Sequence, residues 1–163
     1  MAQHRHGASA GIVIAGGGVA GLSLALALKQ ALGEGLSVTL ADPALAFPAR
    51  EDNRAYAVAA AAQRMLQALG VWDAIAATAQ PMTEMLVTDS RTSDVVRPVF
   101  LTFYGEVEPG QPFAHMVENA GLLRALLAAC RQAGVTLRPE GVRRFAADDA
   151  GADVVMSGGE RLR

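Results

Sequence analysis

An α/β fold is what this sequence predicts, on three observations near its N-terminus. "GIVIA" (11–15) is short and β-branched, as suits a buried strand, and "VAGLSLALALKQAL" (19–32) is rich in Ala and Leu, as suits a helix. Between them the spacing Gly16-x-Gly18-x-x-Gly21 falls in a strand, glycine turn and helix, the context in which G-x-G-x-x-G carries meaning. A second strand, "LSVTLA" (36–41), then ends at Asp42, 21 residues beyond Gly21.

Each position has a physical role in a Rossmann-like βαβ unit. Gly16 allows the tight turn, Gly18 lets a pyrophosphate approach the backbone, and Gly21 lets the helix pack close to the sheet. Val19 and Ala20 open the helix, where free N–H groups and a partial positive charge attract phosphate. Asp42 is expected to hydrogen-bond a ribose hydroxyl, the plainer alternative being that Asp42-Pro43 starts a turn. The helix is apolar nearly all round and is therefore expected to be buried.

The same region could be misread. From Gly7 to Leu28 no side chain is charged, a run as long as the roughly 20 residues of a membrane span. Arg and His residues before it imitate a signal peptide. Three consecutive glycines, each costing a helix about 1 kcal/mol relative to alanine, argue against both.

Composition narrows the function classes. The 163 residues are 52% hydrophobic and 18% charged, enough for one domain with a core or for part of a larger enzyme. Net charge is −2 and the pI about 5.9, so no basic footprint points to nucleic acid. Cys130 is the only cysteine, which excludes an internal disulfide and a cysteine zinc cluster and fits a cytoplasmic location. Residues 1–10 read as a disordered tail, and His4 and His6 on it are not taken as metal ligands.

Further along, "PALAFPAREDNRA" reads as an irregular connection, followed by a helix from Val58 to Leu69. That helix would carry Val58, Ala62, Met65, Leu66 and Leu69 on one face and stop at Gly70. "VWDAIAATAQP" predicts a short helix capped by Asp73, with Pro81 beyond its end. "TEMLVTDS" and "VVRPVF" read as strands, and 101–112 as loop. A third helix has Leu122, Leu123, Leu126, Leu127 and Cys130 on one face, Asn119 as N-cap and Gly134 as its stop. Cys130 there is a small core residue. "VTLRP", "GVRRFAAD" and "ADVVMS" follow as strands, with "SGGE" a hairpin turn into "RLR".

The blocks "IVIAGGGVAGLSLALAL", "VTLADP", "DNRAYAVAAAAQRMLQALGVWDAI", "QPMTEMLVTDS" and "HMVENAGLLRALLAAC" together resemble the FAD-dependent aromatic hydroxylases, in particular the ubiquinone-biosynthesis branch. The resemblance implies a Rossmann-like FAD-binding domain with the beginning of a substrate-domain β-sheet. It implies that Gly16, Gly18 and Gly21 with the following helix hold the FAD pyrophosphate, and that Asp42 holds the adenosine ribose. It implies that Arg54, of the "D-x-R-A" block, lies along flavin and pyrophosphate, and that Asn119 opens a helix beside the cofactor. Many relatives have Pro where Val19 stands, a change that leaves the phosphate geometry alone. The implied reaction reduces FAD with NAD(P)H, activates O₂ and hydroxylates an electron-rich phenol. A polyprenyl substrate would bring peripheral contact with the inner membrane, and uncovered apolar surface would favour a homo-oligomer.

The resemblance also divides the chain, with 11–80 and 113–163 as the nucleotide-binding part and 81–112 as the start of the substrate-side sheet. The family's later "D-G" and "G-D" motifs are absent, so the chain reads as an N-terminal portion, inactive by itself and binding FAD weakly or not at all. No residue stands out as a catalytic acid or base. Two other readings stay open: an NAD-dependent dehydrogenase, because a first βαβ unit cannot separate NAD from FAD, and a non-catalytic scaffold keeping only the nucleotide fold.

Overall fold

The computed structural model describes residues 11–47 and 53–163. The tail expected at 1–10, with His4 and His6, lies outside the described residues. Two compact units emerge, one from 11–47 with Ala120–Arg163 and one from Asn53–Asn119.

The first unit is α/β. Strand β1 (Gly11–Ala15) leads through the glycine turn into helix α1 (Val19–Leu32), which returns the chain to β2 (Ser37–Ala41). β1 and β2 run parallel in the register Gly11↔Ser37 to Ala15↔Ala41. Helix α3 (Asn119–Gln132) then delivers β10 (Thr136–Arg138) to the other edge of β2, giving the order β1-β2-β10, all parallel. Val38 and Leu40 of the central strand are almost fully buried, as are Leu22, Ala25 and Leu26 of α1. The helix nevertheless departs from expectation: Leu24 and Leu32 are more than half exposed, so only one face of α1 is buried.

In α3, Leu122, Leu126 and Cys130 recur at i, i+4 and i+8 and are sealed from solvent, the periodicity of one helix face. Gly134 (φ +77°) stops it by donating to the Arg131 carbonyl, while the Val135 amide reaches Cys130, the paired bonds of a Schellman motif. A three-stranded antiparallel meander completes the unit: β11 (Val142–Asp148), β12 (Gly151–Met156) and β13 (Arg161–Leu162). Ala41 of β2 packs with Val154 and Met156 of β12, flanked by Val13, Val142 and Leu162. Burial of these side chains, worth roughly 25 cal/mol per Å² of apolar surface, joins meander to parallel sheet.

In the second unit, β3 (Ala55–Ala59), β9 (Ala114–Glu118) and β4 (Gln80–Met82) form an antiparallel sheet in that order. Helix α2 begins at Ala60 and ends at Ala68, so Val58 is not helical but pairs with His115 in the sheet. Leu66 and Leu69 are buried as expected, whereas Met65 is exposed. Gly70 (φ +72°) stops the helix with the same pair of bonds seen at Gly134, to Gln67 and, through Val71, to Leu66.

The expected helix after Val71 is two single 3-10 turns, Trp72–Ala74 and Ala76–Thr78; Asp73 lies inside the first and caps neither. Pro81, expected beyond that helix, sits in edge strand β4, where a missing N–H is tolerated. β5 (Glu84–Thr88) pairs with β6 (Val99–Tyr104), and β7 (Glu106–Glu108) with β8 (Gln111–Pro112). Residues 101–112 are therefore largely strand rather than loop, and "VVRPVF" enters β6 only at Val99. The stretch 81–112 falls wholly within the second unit, which also holds β3, α2 and β9.

Candidate nucleotide-binding site

The glycine turn stands at the C-terminal end of the parallel strands, where α/β sheets bind ligands. Gly16 takes φ +114°, a conformation side chains rarely adopt, and its amide donates to Ala41 O at 2.9 Å. Gly18 is the N-cap of α1, with φ −74° and ψ −179°. A side chain at either position would meet nothing within 4 Å, so both face open space. Gly21 differs: a β-carbon there would overlap the Gly16 carbonyl. Its role is thus to let the helix close on the turn itself, with Ile14 of the strand next nearest.

No side chain caps α1, and its first turn holds no acidic residue. The N–H groups of Val19, Ala20 and Gly21 have no carbonyl within the helix to bond, as at any helix start. An uncapped N-terminus beneath open space, with its partial positive charge, fits a phosphate.

Asp42 follows β2 and fills two positions at once. Oδ1 accepts from the Ala44 amide at 2.7 Å, capping the 3-10 turn Pro43–Ala46, so the turn-starting alternative is realised. Oδ2 accepts from the Gly17 amide at 2.6 Å. Two bonds leave about half of a carboxylate's roughly four acceptor sites for a hydroxyl. Gly17 carried no expected role, yet it is the donor that fixes this acid. A β-carbon at Gly17 would sit 3.1 Å from Asp42 Cβ and 3.3 Å from Oδ2. The only sequence signal for it is its place inside the run of three glycines.

Gly16, Gly18, Val19, Ala20, Gly21 and Asp42 are therefore brought together in the first unit. Arg54 and Asn119 belong to the second. There the Asn119 amide donates to the Arg54 carbonyl at 2.9 Å, across the end of the β3–β9 ladder. The Arg54 side chain is exposed and Asn119 is buried. Among the described residues no cluster of His, Cys, Asp or Glu could hold a metal, and no helix is long and apolar enough to cross a membrane.

A family model for an FAD binding domain matches residues 9–161. The chain belongs to this FAD-binding domain family. A ubiquinone hydroxylase, UbiL, of Rhodospirillum rubrum is 33% identical over 94% of the chain and 35% of the relative. The 3-demethoxyubiquinol 3-hydroxylase of Escherichia coli is 34% identical over 93% of the chain and 38% of that enzyme. Among solved structures, the tetrameric form of 2-methyl-3-hydroxypyridine-5-carboxylic acid oxygenase superimposes with a TM-score of 0.68 at 25% identity, covering 96% of the chain and 38% of the oxygenase. The chain thus spans a little over a third of the length of the relatives it matches. Its α/β architecture is that of an FAD-binding, Rossmann-like domain of the monooxygenase type, with additional sheet.

Proposed function

We propose that this FAD-binding domain serves a flavin-dependent monooxygenase that uses NAD(P)H and hydroxylates a phenolic, polyprenyl-bearing ring of the ubiquinone-biosynthesis type. The observation that carries the reading is the uncapped α1 N-terminus over open Gly18, flanked by an Asp42 carboxylate already oriented by Gly17. The ubiquinone-pathway names of two relatives support the substrate class.

In this reading the amides of Val19, Ala20 and Gly21 hold the pyrophosphate, and Gly18 lets it approach without obstruction. Asp42 binds the adenosine ribose through its remaining acceptor sites. Arg54 offers its guanidinium to flavin and pyrophosphate, and Asn119 opens α3 beside the cofactor. Bound FAD, recharged by NAD(P)H, supplies the oxygen chemistry, while the protein supplies binding and orientation. No residue is assigned as general acid or base. The small aromatic substrate would arrive from the membrane surface, and the tetrameric oxygenase gives precedent for self-association.

Titration with FAD and with NAD⁺, followed by flavin fluorescence quenching and by tryptophan emission, tests the reading. FAD is expected to bind more tightly than NAD⁺, and Arg54→Ala to weaken FAD alone. Tighter binding of NAD⁺, with Arg54→Ala indifferent, would instead support a nicotinamide site.

A further inference from the structure

Arg138, the last residue of β10, touches both the ribose acid and the C-terminal meander. Its carbonyl accepts the Asp42 amide at 3.0 Å, the bond that continues the parallel ladder one residue past Ala41. Its guanidinium is shared between two carboxylates, donating to Glu140 Oε1 from Nε (3.0 Å) and Nη2 (2.6 Å), and from Nη2 to Glu160 as well. Glu140 in turn accepts the Gly158 amide at 3.3 Å, and the Glu160 carbonyl accepts from Met156 at 2.9 Å.

These bonds fix the segment between β10 and β11 against the turn between β12 and β13. The Ser157 amide closes the join by donating to the Gly141 carbonyl at 2.8 Å. Gly141 abuts Pro43, the residue after Asp42; a β-carbon there would stand 3.4 Å from the proline ring. The Asp42-Pro43 corner is therefore bounded on one side by Gly17 and on the other by the segment that Arg138 holds. Two acids facing one guanidinium also push the Arg138 pKa up and, by the same hydrogen bonds, hold Glu140 below the usual carboxylate range.

We propose that Arg138 is a positioning residue for ribose recognition: its carbonyl and its Glu140–Glu160 clamp together set where the Asp42 carboxylate stands. The inference rests on Asp42 reading the ribose. Arg138 itself touches no ligand, and its effect appears only in how well hydroxyl groups are told from their absence.

The test is a titration of isotope-labelled protein with ADP and with 2′,3′-dideoxy-ADP, monitored at the Gly17 and Val19 amides by NMR. A hydrogen bond to a charged group predicts about tenfold tighter binding of ADP by the wild type. Arg138→Gln is expected to bring the ratio below about twofold, with dideoxy-ADP affinity unchanged and the Gly17 amide shifted before any ligand is added. Arg138→Lys, a milder change should the first variant fold poorly, is expected to give an intermediate ratio. A wild-type ratio in both variants would overturn the inference, as would an equal loss of both ligands, which marks a purely structural role. A wild type that does not distinguish the two ligands would refute the ribose role of Asp42 itself, and the inference with it.

Discussion

Gly17 and Asp42, 25 residues apart in sequence, meet at 2.6 Å across the ends of two parallel strands, amide to carboxylate. Asp42 is thus held by the glycine turn it stands beside. Removing the carboxylate should loosen the loop as well as any ribose contact. Asp42→Ala is expected to lower stability by about 0.5–2 kcal/mol, the range for a lost capping side chain. Urea denaturation measures that loss, and an upfield shift of the Gly17 amide proton checks its cause.

Gly21→Ala should be the most damaging single methyl in the first unit. The obstacle is the Gly16 carbonyl, backbone that cannot rotate aside, and a cost near 3 kcal/mol, the upper part of the overpacking range, is expected. Gly18→Ala meets no atom in the protein and should leave the melting temperature within a degree or two of wild type. If it also left FAD affinity unchanged, the space over Gly18 would not be where the pyrophosphate lies.

The Cys130 thiol is sealed in the first unit and donates to the Leu22 carbonyl at 3.3 Å. Burial pushes its pKa up, which depletes the thiolate that reacts. A thiol reagent at neutral pH should leave the native protein essentially unlabelled and modify one group per chain in urea. Rapid native labelling would show that α3 opens locally.

Glu140 links stability to acid pH. Its carboxyl is held below the usual range by Arg138, so the folded state binds fewer protons there than the unfolded chain. Stability from this group is complete above the unfolded pKa and is lost as pH falls through the folded one. Glu140→Gln should therefore lower the melting temperature near neutrality, modestly because the pair is exposed, and converge with the wild type in acid, so that the acid limb of the profile is shallower.

Much of the first unit was legible because its signals are local. β1, α1 and β2 differ in composition over a few residues, and α3 announces itself by period and by Gly134. In the second unit β5 was legible, but β3, β4 and β9 were hidden for a physical reason. β3 is "AYAVA", whose alanines carry little strand preference; it is a strand because Tyr56 and Val58 pair with Val117 and His115. Pro81 argued for a break and instead marks an edge. At the site, the motif's spacing indicated Gly16, Gly18, Gly21 and Asp42, but not Gly17 or Arg138, whose parts depend on neighbours 25 and 96 residues away.

The strand order β1-β2-β10 has a further meaning in time. During synthesis β1, α1 and β2 leave the ribosome early, but the bond from Asp42 to Arg138 cannot form until the chain has grown past residue 138. By then all of Asn53–Asn119 has emerged and can fold on its own contacts. The glycine turn and Asp42, translated before the second unit, are therefore completed only after it.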